Sequence, residues 1–112
     1  MLGCWLLGIT LTYVAASAAA DAAPRTHTVL IENMRFSPAE LTVRRGDRVV
    51  FQNNDLMPHT ATSSDSESGK FDSGLVESGK SWTLHVNWTG QVPYRCTFHP
   101  TMTGIIRVDD PQ

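Results

Sequence analysis

The sequence predicts an all-β chain, a single sandwich of short antiparallel strands. From His27 onward apolar residues alternate with polar ones, and turn-forming residues interrupt them roughly every eight to twelve positions. No stretch carries a competing helical period. A chain of 112 residues with 41% hydrophobic content also fills one modest core and leaves nothing for a second.

Val29 and Ile31 open the first alternation, and Leu41 and Val43 form the next. Arg45-Gly46-Asp47 turns the chain, after which Val49 and Phe51 share a face. Between His59 and Trp82 the composition shifts to Ser, Gly, Asp and Glu, with Phe71, Leu75 and Val76 the only large apolar residues. That stretch reads as loops with strand fragments. Trp82, Leu84 and Val86 then share one parity and Thr83, His85 and Asn87 the other, before a turn at Trp88-Thr89-Gly90. His85, like His27, is expected in solvent without a role. Val92, Tyr94 and Cys96 face one way in the penultimate strand, and Ile106 and Val108 in the last, so Cys96 faces the core at a strand end.

Residues 1–20 read as a secretory signal peptide: Leu2 to Val14 is mostly apolar, and Ala15 to Ala20 is nearly all small, ahead of a mature domain over 21–112. The apolar run is short for a membrane span, so no stable insertion is expected after cleavage. No Lys or Arg precedes Arg25, which departs from the usual basic start. Lipidation at Cys4 is rejected because that cysteine precedes the apolar run instead of following it. The mature chain then keeps one cysteine, Cys96, and has no internal disulfide. A lone thiol in an oxidising compartment is either buried and inert or occupied, for instance by a metal, and composition leaves both open.

Nine Lys and Arg against eleven Asp and Glu give a formal net charge of -2, which excludes a global basic field for nucleic acid or an anionic membrane. Basic residues crowd the first half (Arg25, Arg35, Arg44, Arg45, Arg48) and acidic ones the second (Asp65, Glu67, Asp72, Glu77).

Chemistry concentrates in Cys96-Thr97-Phe98-His99-Pro100-Thr101-Met102, where a thiolate, an imidazole and a thioether fall within one loop. Soft sulfur with imidazole suits copper, and two His with one Cys and a weak axial Met form the blue-copper donor set. The second imidazole comes from His59, where Pro58 blocks regular pairing and fixes the ring's approach. Read singly, His99 is a surface loop histidine and Met102 a core filler. Zinc fits poorly, since a single Cys lacks a C-x-x-C partner. A Cys-His nucleophile fits worse, because the thiol faces the core. A binuclear copper centre needs a second cysteine, and a multicopper enzyme needs more histidines or a further domain.

Phe36-Ser37-Pro38, the run from Gly46 to Asn53, Met57-Pro58-His59 and the run from Tyr94 to Gly104 together resemble the cupredoxins, or type 1 blue copper proteins, in their amicyanin and plastocyanin group. The short gap between His99 and Met102 is similar to the amicyanin ligand loop. The resemblance implies a Greek-key β-sandwich of about seven or eight strands. It implies one copper ion, Cu(I) or Cu(II), held by His59, Cys96, His99 and Met102. It also implies that Asn53 hydrogen-bonds near the copper loop, with Thr97 as its partner, and that electrons pass at the His99 edge inside an apolar rim of Met57, Pro58, Phe98 and Pro100. The implied protein is a monomeric periplasmic electron carrier, not an enzyme. Its transient partners would be redox proteins such as a c-type cytochrome or a periplasmic dehydrogenase; a copper-delivery protein is the alternative. Phe98 stands where amicyanins usually carry Pro, and Thr101 where they carry a bulky aromatic, so the amicyanin partner does not transfer.

Overall fold

The structure is a computed structural model that describes Gly3 and residues 8–14, 23–64 and 68–111. Most of the expected signal peptide, Cys4, Asp21, Asp65 and Glu67 lie outside the described residues. The elements are β1 (Thr26–Glu32), β2 (Arg35–Ser37), β3 (Glu40–Arg44), β4 (Arg48–Asn53), β5 (Thr62–Ser63), β6 (Ser81–His85), β7 (Gly90–Arg95) and β8 (Thr103–Asp109). They form two four-stranded sheets, ordered β2-β1-β4-β6 and β3-β8-β7-β5.

The all-β sandwich matches the expectation, but the sheets are mixed. β1 runs parallel to β4 and β3 parallel to β8; the other pairs are antiparallel. Alternation reports which face of a strand is buried, not the direction of its neighbour, so the sequence pattern could not carry this. The Arg45-Gly46-Asp47 turn passes the chain from one sheet to the other instead of closing a hairpin, with Gly46 at φ 102°.

Alternation does set the core. Val29, Ile31, Val49, Phe51, Val92 and Ile106 are fully buried between the sheets. Tyr94 lies among Phe36, Phe51 and Phe71, with ring centroids 4.7, 5.4 and 5.8 Å away. Its ring lies over Gly104, where a Cβ would come within 2.3 Å of it, so the residue opposite Tyr94 in the β7–β8 register has to be glycine. Phe71, from the polar stretch, stacks on Trp82 and Trp88 and seals that side of the sandwich.

His85 is exposed as expected; His27 is not a free solvent residue. Its Nε2 lies 2.9 Å from Oδ2 of the buried Asp47, whose carboxylate also accepts the backbone N–H of Arg25 (2.9 Å) and Arg44 (3.0 Å). His27 has the parity of the buried Val29 and Ile31, so its half-buried ring meets the Asp47 carboxylate and does not stand in open solvent. Burial alone would raise the Asp47 pKa, yet these hydrogen bonds and the His27 ring outweigh it and hold the carboxyl at about 2, below the ordinary 3.8. A depressed pKa stabilises the fold fully above 3.8, and that contribution is lost as pH falls from 3.8 towards about 2. Asp47→Asn should therefore cost about 1–3 kcal/mol at neutral pH and flatten part of the acid limb of stability. Urea unfolding across pH checks this; an acid limb as steep as in the wild type would contradict it.

Candidate metal centre

Two loops at one end of the sandwich build the site. β7 ends at Arg95, and the loop from Cys96 closes on itself before β8: Cys96 N–H donates to the Met102 carbonyl (3.1 Å) and Met102 N–H to the His99 carbonyl (2.8 Å). This turn brings His99 back over Cys96. The facing loop follows β4 in the other sheet and is shaped by the fully buried Asn53. Its Nδ2 donates to the carbonyls of Met57 (2.8 Å) and Val76 (2.9 Å), and its Oδ1 accepts the Asp55 N–H (2.9 Å). His59, also fully buried, is pinned in turn by paired backbone hydrogen bonds with Val76.

His59, Cys96 and His99 meet, with one potential ligand atom from each lying within 4.8 Å of the others. Cys96 Sγ stands 3.7 Å from His59 Nδ1 and 3.7 Å from His99 Nδ1. These donors fit a shared ion: with thiolate at about 2.3 Å and imidazole at about 2.0–2.1 Å from a metal, a trigonal arrangement separates them by about 3.8 Å. Met102 is buried at the foot of the same loop.

Residues that sequence reasoning passed over orient this group. Asp55 Oδ2 lies 2.8 Å from His59 Nε2. A carboxylate only accepts, so Nε2 carries the hydrogen and Nδ1 presents a lone pair towards Cys96. Burial raises the Asp55 pKa, but the N–H groups of Met34 and Asn33 and the His59 ring outweigh that and hold it below 3.8. Thr60, next to His59, donates its N–H to Cys96 Sγ (3.4 Å), and its Oγ1 accepts the Thr97 N–H (2.9 Å). The expected pairing of Asn53 with Thr97 is thus replaced. Both Asn53 amide hydrogens are spent on backbone carbonyls, of Met57 in its own loop and of Val76 in the segment bridged to His59, and Thr97 is held by Thr60. Position was the available signal: Asp55 lies one helical-turn distance before His59, and Thr60 directly follows it.

Exposure sorts the remaining residues. Cys96 and His59 are inaccessible and Met102 nearly so, whereas His99 is half-buried. Met57, Pro58, Phe98 and Pro100, the residues expected to rim it, are all exposed, Phe98 at 61%.

A family profile described as a cupredoxin-like domain matches residues 4–108. The chain belongs to the cupredoxin-like family. Within it, this cupredoxin is 30% identical to the amicyanin of Paracoccus versutus over 103 residues, covering 90% of this chain and 78% of that one. Among solved structures it is similar to the Cu(I) form of an amicyanin variant (TM-score 0.71, 29% identity, covering 82% of this chain and 90% of that one). It is also similar to part of a copper-containing nitrite reductase from Thermus scotoductus SA-01 (TM-score 0.73, 28% identity, 78% of this chain). The chain spans only 23% of the reductase. The cofactor of this cupredoxin is copper, one ion, which agrees with a donor group of one thiol and two imidazoles.

Since Asp55 fixes the tautomer and aim of His59, Asp55→Ala should lower copper affinity about 10- to 100-fold. Competition with a chromophoric chelator measures it, and an unchanged affinity would show that the carboxylate does not orient the ring.

Proposed function

We propose that this cupredoxin is a diffusible one-electron carrier whose copper would be held by His59, Cys96, His99 and Met102. The observation that carries the reading is the sealed thiol between two imidazoles, of which only His99 approaches the surface. Copper, when bound, supplies a reversible one-electron couple. The protein's part is to hold the donors still. Asn53 shapes the His59 loop, Thr97 is tied across to Thr60, and both sit on a rigid sandwich, so little rearranges as the electron moves.

The His99 edge is the electron port. The apolar rim of Met57, Pro58, Phe98 and Pro100, all exposed, favours brief docking, as redox encounters use small interfaces that release quickly. A fully buried thiol argues against a cysteine nucleophile, which must meet its substrate. Residues 1–20 act as the export signal and 21–112 as a monomeric periplasmic domain; no described helix is long and apolar enough to cross a membrane. Its partners are redox proteins such as a c-type cytochrome or a periplasmic dehydrogenase.

Copper delivery is the competing role, and the burial of Cys96 and His59 disfavours it because metal handover needs accessible ligands. Cys96→Ser should abolish the intense thiolate-to-Cu(II) absorption of the loaded protein; colour that survives would remove Cys96 from the ligand set. Phe98→Glu should slow electron exchange with redox-protein partners while leaving that absorption in place, read by stopped-flow mixing. An unchanged rate would move the docking face elsewhere.

A further inference from the structure

We propose that Asp72 and Thr62 are remote positioning residues for the copper centre, acting through a chain of hydroxyl groups that ends at Thr97. The inference rests on Cys96 as a copper ligand and concerns residues that lie outside the ligand set. Thr62 Oγ1 stands 3.1 Å from Asp72 Oδ1 and 3.0 Å from Thr60 Oγ1, and Thr60 Oγ1 stands 3.2 Å from Thr97 Oγ1. The Thr97 N–H also points at Thr60 Oγ1, at 2.9 Å. Asp72 is itself seated: its Oδ1 accepts the Gly74 N–H (2.8 Å), it bridges Thr62 in antiparallel fashion, and Ser73 is hydrogen-bonded to both the N–H and the carbonyl of Ala61.

Thr62 is the pivot of the chain. Its Oγ1 donates towards both Asp72 Oδ1 and Thr60 Oγ1, and a hydroxyl has one hydrogen, so the two acceptors share it. Thr60 Oγ1 accepts from Thr62 and from the Thr97 N–H, and it shares a further hydrogen bond with Thr97 Oγ1. Asp72 thus fixes the Thr62 hydroxyl, and that hydroxyl holds Thr60 Oγ1 against Thr97. Without either group Thr60 Oγ1 loses its support on that side and can turn away from the Thr97 N–H.

The consequence reaches the metal site because Thr60 has two attachments. Its side chain holds Thr97, the residue after Cys96, and its N–H donates to Cys96 Sγ at 3.4 Å. A donor on the thiolate draws electron density from sulfur and favours the reduced state, and hydrogen bonding at this sulfur is a known lever on potential. An exposed carboxylate on a loop thereby sets how firmly that donor is aimed. Coupling along such a chain is non-additive, since breaking any link breaks the whole.

Thr62→Val, Thr62→Ser, Asp72→Ala and Asp72→Asn separate the chain from simple charge and from packing. In the copper-free protein, amide hydrogen exchange at Thr97 should quicken about 5- to 10-fold in Thr62→Val and Asp72→Ala. It should stay at the wild-type rate in Thr62→Ser and Asp72→Asn, which keep a donor and an acceptor. In the copper-loaded protein the first pair should lower the reduction potential, and the double variant Thr62→Val with Asp72→Ala should go no lower than either alone. Wild-type exchange and potential in Thr62→Val would overturn the proposal, as would Asp72→Asn shifting as far as Asp72→Ala, which is the mark of charge acting through space. A wild-type protein that shows no thiolate-to-Cu(II) absorption would sink the Cys96 assignment instead, and the exchange rates would still decide the chain.

Discussion

One junction organises the molecule: the Cys96 sulfur, at the end of a strand in one sheet, set against His59 and Thr60, from a loop of the other. Packed sheets stand about 10 Å apart, so their ends do not touch unless loops are bent inward and held. Here the bending is done by polar groups that would be costly to bury unpaired. Asn53 folds its loop onto itself, His59 bridges to Val76, and Thr60 closes the gap by accepting from Thr97 while donating to sulfur. The metal-binding geometry is a by-product of satisfying these groups.

The same solution appears at both ends of β4. Before the strand, the Asp47 carboxylate gathers two backbone N–H groups and the ring of His27; beyond it, Asp55 gathers two backbone N–H groups and the ring of His59. Each ties a loop to its neighbours, and in each these contacts hold the carboxyl below its ordinary pKa despite burial. What separates the structural pair from the functional one is the other ring nitrogen. For His59 it faces a buried thiol and a second imidazole, whereas among the described residues no such donor group forms around His27. A His–Asp contact is therefore not a site by itself; the convergence of soft donors makes one.

Strand positions and core faces were legible in the sequence because period-two alternation marks burial directly: Val29, Ile31, Val49 and Phe51 all point inward. Cys96, His59 and His99 were legible as a group because few residue types have that chemistry and the loop spacing brings them together. Strand direction was not, since β1 beside β4 and β3 beside β8 depend on connections, not on local pattern. Of the supporting residues, Asn53 and Thr97 were legible through the resemblance but their partners were not, and Asp55 and Thr60 were not legible at all: who bonds whom depends on groups that only the folded loops bring within reach.

The central claim is that one sulfur and two imidazoles from opposite sheets share a single copper ion. Copper K-edge X-ray absorption of the loaded protein tests it most directly. The account predicts a coordination shell of one short sulfur and two imidazole nitrogens in both oxidation states, with little change between them. A shell made of nitrogen and oxygen alone, or one that reorganises extensively on reduction, would contradict it.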